Sequence, residues 1–234
     1  MNSKDLKIHP SRRNQGFTLV EMLVVIAIMS ILMTAGAIGL SGVGGKGVTS
    51  GVASAESLFD EARSIAVGQR TRTRVMIAKS LQNNPADNLR RIVVASEALK
   101  ADGTPDTNKW ILTSRGVLLP DQTYFSQEYS VKGKDDPVAP NGKIEVIQSL
   151  PGAKSSYMGS YFFYEFNAEG ICTTPGASFV LGTGARPVNK PDDQPRVTGS
   201  AKRDFGGFVV WRNGRTSAFR SPDQMKIPAA VTQF

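Results

Sequence analysis

Hydrophobic and polar residues divide the chain into one long apolar segment and a longer region of mixed composition. From Phe17 to Leu40 the only charge is Glu21, and nineteen uncharged residues follow it. As a helix, this segment would be about 36 Å long, which is enough to cross a hydrocarbon core of about 30 Å. We therefore predict a membrane-spanning helix over residues 17–40.

The region beyond this segment begins with a glycine-rich stretch and continues with a second helical pattern. Residues 41–51 contain five glycines, each costing a helix interior about 1 kcal/mol relative to alanine. A hinge or melted segment is predicted here. Apolar residues then recur at helical spacing from Val52 to Ala66, and Gly68 is the predicted stop. This amphipathic helix should pack on a globular domain spanning residues 52–234.

Short segments with a period of two follow the second helix and predict β-strands. Alternation is clearest in Arg72–Ile77, and Asn213-Gly214 is a strong hairpin signal between Phe208–Arg212 and Arg215–Phe219. The further candidates are Arg91–Ala95, Trp110–Thr113, Lys143–Ile147, Tyr161–Phe166 and Ser178–Leu181. Several short strands after one long helix predict an α+β fold with antiparallel sheet.

The charge distribution predicts how the apolar segment is oriented. The chain of 234 residues has a formal charge of +8, and its first sixteen residues carry four basic side chains and one acidic one. Basic residues before a membrane helix favour a cytoplasmic amino terminus, so the carboxy-terminal bulk should lie on the other side. Only the remaining charge of +5 (8 − 3) belongs to the segment from Phe17 onward.

Three simpler interpretations of the apolar segment compete with a specialised one. A cleaved secretory signal would use a small-residue site such as Ala35-Gly36-Ala37, but the apolar run is too long and contains a carboxylate. A plain membrane anchor gives no reason for Glu21, which is costly in a bilayer. A buried helix of a soluble core would rarely contain nineteen consecutive uncharged residues.

The residues at the start of the apolar segment carry a family resemblance. Gly16-Phe17-Thr18-Leu19-Val20-Glu21, after a short basic leader and before the apolar helix, resembles the class III signal of type IV pilins and type II secretion pseudopilins. The resemblance implies that a prepilin peptidase cuts between Gly16 and Phe17 and methylates the new Phe17 amine. It also implies a leader over residues 1–16 and a pilin-like fold, in which a long amino-terminal transmembrane and amphipathic helix packs on antiparallel sheet.

The same resemblance gives Glu21 a role in assembly. Glu21 would pair with the terminal amine of a neighbouring subunit, because a carboxylate stays ionised in low dielectric only when it is paired. The implied partners are the prepilin peptidase, other pilin or pseudopilin subunits, the inner-membrane assembly platform and membrane lipid. The implied location is the bacterial inner membrane, crossed once, with a cytoplasmic amino terminus, a periplasmic domain and later incorporation into a filament.

Segments after the second helix resemble minor pseudopilins of the GspH/FimT type more loosely. The matching stretches are Glu61–Ala66, Trp110, Gly116–Pro120, Phe166–Gly170 and Val209–Arg215. This resemblance favours a structural minor pseudopilin of a type II secretion pseudopilus. The alternative is a minor pilin of a type IV pilus that acts in adhesion or DNA uptake.

The sequence offers little that would support catalysis, a metal or a cofactor. His9 is the only histidine and would leave with the leader, so we predict no enzymatic activity. The pattern G-x-G-x-x-G at residues 42–47 follows a membrane helix instead of a strand, so a dinucleotide site is disfavoured. The acidic doublets Asp135-Asp136 and Asp192-Asp193 lack the ligand spacing of a calcium site, and solvated loop charge is preferred. Cys172 is interpreted as a small buried or strand-edge residue.

Nucleic acid is the remaining candidate ligand. Some FimT-like minor pilins use a carboxy-terminal glycine-arginine-x-arginine motif in DNA uptake, and this chain has Gly214-Arg215-Thr216-Ser217 at the matching place. The second arginine is absent, although Arg212 and Arg220 are near in sequence. Arg212, Arg215 and Arg220 are therefore candidate phosphate contacts. Ordinary surface arginines of a basic protein are the favoured interpretation.

Overall fold

Two compact units make up the chain, Met1–Gly42 and Val43–Phe234. The structure is a computed structural model. It describes residues 19–41, 43–132, 136–137, 145–147, 155–173, 175–187, 189–191, 193–199 and 204–231.

Helix α1, Leu19–Ser41, forms the described part of the first unit. It occupies the segment in which a helix is predicted from residue 17 to residue 40. The side chains of residues 19–30 are exposed, including Leu19 at 82% and Ile26 at 62%. Among the residues that the structure describes, no helix combines the length and the apolar character needed to cross a membrane.

Helix α2, Val43–Gln69, belongs to the second unit and is amphipathic. Its apolar positions at helical spacing face the core, because Phe59, Ala62 and Ala66 have no exposed surface and Leu58 is only 4% exposed. The predicted amphipathic helix is confirmed.

The amino-terminal part of α2 corrects the predicted hinge. From Val43 onward the glycine-rich stretch is helical, so the second unit begins before the predicted boundary at residue 52. The physical reason is that two of these glycines pack closely against the four-stranded sheet. A Cβ atom at Gly51 would lie 3.0 Å from Leu181 Cδ1, and one at Gly47 would lie 2.9 Å from Thr123 Oγ1. Contacts with the sheet at these glycines offset the helical cost that is expected in isolation.

Helix α2 ends through the backbone geometry of Arg70 and not at a glycine. Arg70 has a left-handed backbone with φ of 54°, and the Thr71 N–H donates to the Ala66 carbonyl at 3.3 Å. This bond satisfies one of the carbonyls that a helix end leaves unpaired. Gly68, the predicted stop, therefore stays inside the helix, which continues to Gln69.

Antiparallel strands form the rest of the second unit. The five-stranded sheet has the order β3-β2-β1-β8-β7, the four-stranded sheet has the order β11-β10-β9-β4, and β5 pairs with β6. The bounds are β1 Thr73–Leu81, β2 Arg91–Leu99, β3 Pro105–Leu118, β4 Thr123–Phe125, β5 Val131–Lys132, β6 Asp136–Pro137, β7 Glu145–Ile147, β8 Gly159–Phe166, β9 Ala177–Thr183, β10 Phe205–Val210 and β11 Thr216–Ala218.

Most of these strands lie where alternation predicts them. The predicted segments coincide with parts of β1, β2, β3, β7, β8, β9 and β10, and the predicted hairpin joins β10 to β11. Strand β4 was missed because its three residues are all buried, so no polar alternation marks it. Arg212 was placed at the end of a strand, but it lies in the turn between Trp211 and Arg215.

Phe59 connects α2 to both large sheets. Its ring centroid lies 5.1 Å from that of Tyr164 in β8 and 5.0 Å from that of Phe208 in β10, both in edge-on geometry. Such aromatic pairs add stabilisation beyond the area they bury. The predicted α+β fold class, with a helix packed on antiparallel sheets, is confirmed.

Candidate functional sites: the amino-terminal segment and the arginine hairpin

Glu21 lies in the first turn of α1, surrounded by exposed apolar side chains. Leu19 is 82% exposed, Val20 70% and Leu23 57%. A carboxylate near a helix amino terminus is favoured by the helix dipole. If another molecule covered the apolar surface, however, burial of the carboxylate would be costly without a cationic partner. Gly16 and Phe17 lie outside the described residues.

The amino-terminal segment matches a known family model. Residues 11–37, which contain Gly16, Phe17 and Glu21, match the model described as the prokaryotic N-terminal methylation motif. The match includes Arg12 and Arg13, which precede the predicted cleavage position, and most of the apolar segment.

Two further comparisons concern the whole chain. It is similar to the solved structure of the type IV minor pilin FimU from Pseudomonas aeruginosa, with 15% sequence identity and a TM-score of 0.34. The similarity covers 74% of this chain and 93% of that chain. No curated protein matches the sequence at a significant level.

The arginine hairpin is the turn that joins β10 to β11. The Trp211 N–H donates to the Arg215 carbonyl, and the Gly214 N–H donates to the Trp211 carbonyl, both at 2.9 Å. Gly214 has a φ of 76°, and a Cβ atom there would lie only 2.5 Å from the Gly170 carbonyl oxygen. This position therefore requires glycine, for both its backbone conformation and its close approach.

The hairpin brings two of the three candidate arginines together. Arg212 and Arg215 lie on one exposed turn, whereas Arg220 follows β11 and is also exposed. None of the ion pairs among the described residues involves these three side chains. The Arg220 backbone N–H donates to Gln224 Oε1 at 2.7 Å. The role of the arginines as nucleic-acid contacts stays a prediction.

A different cluster of arginines, at the start of β1, is already paired. Arg72 Nε donates to Glu97 Oε1 at 2.9 Å, and Arg74 Nε donates to Glu165 Oε2 at 2.7 Å. The Arg74 guanidinium carbon also lies 3.9 Å from the centre of the Trp110 ring. Only 8% of the Arg74 side chain is exposed, so this cation is part of the interior of the domain.

These pairings set the electrostatics of the cluster. Burial lowers the pKa of Arg74, and the bond to Glu165 opposes that shift. The bond to Glu97 raises the pKa of Arg72. Two arginines and two glutamates neutralise each other, so the basic strand is a structural feature and offers little free positive charge to a ligand.

The structure shows where some residues of the acidic doublets and of the glycine pattern at residues 42–47 lie. Within the described residues, no group of three or more His, Cys, Asp or Glu side chains is close enough to hold a metal. Asp136 lies in β6, whereas Asp135 and Asp192 are outside the described residues. From Val43 onward the glycine pattern of residues 42–47 is helical, which differs from the strand-to-helix loop that holds a dinucleotide phosphate. The Cys172 side chain is buried.

Proposed function

We propose that this chain is a structural minor pseudopilin of a type II secretion pseudopilus. It joins the filament through its amino-terminal helix after a prepilin peptidase has removed residues 1–16 and methylated Phe17. The observation that carries the proposal is the match of residues 11–37 to the N-terminal methylation motif. This range contains Gly16, Phe17 and Glu21 in the order that processing and assembly require.

In this proposal, the apolar segment acts first as a membrane anchor and then as a packing element. Residues 17–40 hold the precursor in the bacterial inner membrane, with the basic amino terminus in the cytoplasm and the globular domain in the periplasm. The assembly platform then transfers the helix from lipid to neighbouring subunits. The exposed apolar side chains of α1 suit both environments.

Glu21 sets the axial position of the incoming subunit. Its carboxylate pairs with the amine of Phe17 on a neighbouring subunit, which compensates for the loss of water around both charges. The pair forms only at one offset between the two helices. A processed amine and the Glu21 carboxylate are therefore both needed for assembly.

The processing step and the assembly step can be tested together in cells. Mass spectrometry of the mature protein should find an amino terminus at Phe17 carrying one methyl group. The Glu21→Ala variant should be processed normally but should be lost from sheared filaments, whereas Glu128→Ala, which removes an exposed carboxylate of the domain, should assemble normally. An intact Met1, a cut after Ala37 or normal incorporation of Glu21→Ala would refute the proposal.

The alternative, a type IV pilus minor pilin that acts in adhesion or DNA uptake, has one observation in its favour. Arg212 and Arg215 are both exposed at the same turn, and exposed arginines can contact the phosphates of a nucleic acid. Deletion of the gene should abolish protein secretion under the leading proposal, and should abolish adhesion or DNA uptake under the alternative. Ordinary surface arginines remain the simpler interpretation of this turn.

A further inference from the structure

Strand β11 is an edge of the four-stranded sheet with free backbone groups. It pairs with β10 in a regular register that includes Val209 opposite Ser217. The bonds from Trp211 to Arg215 and from Phe219 to Gly207 continue this ladder at both ends. No strand among the described residues lies on the other side of β11.

The alternation of bonds along this ladder identifies which groups face outward. Residues of β11 that bond to β10 alternate with residues whose N–H and C=O groups face away from it. Since Arg215 and Phe219 bond towards β10, Thr216 and Ala218 present their N–H and C=O groups outward. The edge thus offers two donors and two acceptors at the spacing of one further β-strand.

The edge strand β3 of the five-stranded sheet is protected, in contrast to β11. Strand β3 pairs with β2 through three interruptions of register, begins with Pro105 and carries Lys109 and Arg115. Bulges, proline and lysine are the features by which proteins prevent edge pairing. Strand β11 is short, but it contains no proline and pairs with β10 in a regular register. The edge strand β4, by contrast, is buried.

The side chains around β11 are positively charged and include an exposed aromatic ring. Between Asp204 and Asp223 the chain has three arginines and no carboxylate. Trp211 is 51% exposed, and its Nε1 donates to Ser217 Oγ at 2.8 Å, which fixes the indole beside the strand.

The hairpin that carries these groups is held against α2. A Cβ atom at Gly214 would lie 2.6 Å from Arg63 Cδ, so the turn packs closely on the helix. Glu169 is in the adjoining turn at Gly170 and forms none of the ion pairs among the described residues. A rigid cationic edge of this kind is preorganised for a ligand.

We propose that the β11 edge binds an extended acidic segment of a partner protein, which adds to the sheet as a further strand. Its backbone would pair with the outward groups of Thr216 and Ala218, and its carboxylates would contact Arg215 and the neighbouring arginines. A peptide fits better than a nucleic acid because phosphates only accept hydrogen bonds and would leave the outward carbonyls unpaired. This inference does not depend on assembly through Glu21.

The test measures peptide binding to the full chain purified in detergent. The probe is a labelled peptide of alternating glutamate and valine. One control peptide has the same residues with N-methyl groups on every backbone nitrogen, so that neither edge of the peptide can donate, and another has lysine in place of glutamate. We expect the first peptide to bind and the N-methylated control to bind at least about fivefold more weakly, since each lost hydrogen bond costs about that factor. The lysine control should also bind more weakly, because its charges repel the arginines beside β11.

Two variants separate backbone pairing from charge. Ala218→Pro removes an outward N–H without removing a bond to β10 and should weaken binding about fivefold. Arg215→Gln should weaken binding and reduce its dependence on salt, whereas Arg115→Gln, the same charge change on the protected edge β3, should leave it unchanged. Thermal unfolding checks that each variant is folded, and the methylated peptide tests backbone pairing independently of Ala218→Pro.

Several results would overturn the proposal. No binding of the glutamate-valine peptide would do so, as would equal binding of its N-methylated form, since attraction by charge alone needs no strand pairing. Preferential binding of duplex DNA that is lost in Arg215→Gln but kept in Ala218→Pro would assign the edge to nucleic acid instead.

Discussion

Helices α1 and α2 follow each other in the chain but present their apolar side chains to different surroundings. In α1 the described side chains are exposed, with Leu23 at 57% and Ile26 at 62%. In α2 the apolar side chains are buried against the sheets, with Leu58 at 4% and Phe59 at 0%.

The difference shows which part of the free energy each helix contributes. Burial of α2 stabilises the domain of this single chain, because its apolar area is removed from water when the domain folds. The apolar side chains at residues 19–30 of α1 stay exposed. The amphipathic helix α2 therefore serves folding, whereas α1 serves assembly only under the function proposed above.

Among the substitutions proposed here, Phe59→Ala should weaken the packing of α2 on the sheets the most. It removes a fully buried ring that contacts Tyr164, Phe179 and Phe208. We expect the free energy of unfolding to fall by about 3–5 kcal/mol, as is usual for a buried phenylalanine. Urea denaturation of the full chain in mild detergent measures this change. Phe59→Leu serves as the control and should cost less, whereas a loss below about 1 kcal/mol for Phe59→Ala would contradict the proposed packing.

A matched pair of leucine substitutions compares the two helices directly. Leu58→Ala in α2 should lower the free energy of unfolding by about 2–5 kcal/mol, because the side chain is buried. Leu23→Ala in α1 should change it by less than about 0.5 kcal/mol, because the side chain is exposed. The same denaturation measurement serves both variants. Equal losses of stability would show that α1 also contributes to the folded domain.

The contrast between the helices also explains which features could be predicted from the sequence. The apolar face of α2 is visible in local spacing, since Leu58, Phe59 and Ala62 recur within one turn. The methylation motif is likewise local, because Gly16 to Glu21 are contiguous. Local patterns of this kind need no knowledge of the tertiary contacts.

Features that depend on distant contacts could not be predicted in this way. The bond between Arg72 and Glu97 joins residues 25 positions apart, and the bond between Arg74 and Glu165 joins residues 91 positions apart. The glycines before residue 52 predicted a hinge because their helical cost was counted without the sheet on which they pack. In each case the deciding interaction was made with an element remote in sequence.

Two glycine substitutions in α2 have the smallest expected effects and test where this helix packs on the sheet. Gly51→Val should destabilise the domain by about 1–3 kcal/mol, because its Cβ position lies 3.0 Å from Leu181 Cδ1 and 3.3 Å from Leu119 Cδ2. Gly68→Ala should stabilise it by about 0.4–1 kcal/mol, because no atom lies within 4 Å of its Cβ position and alanine favours the helix. Denaturation curves of both variants show whether each substitution lowers or raises the free energy of unfolding. A gain of stability in Gly51→Val would mean that the start of α2 is not packed on the sheet and that the predicted hinge was right after all.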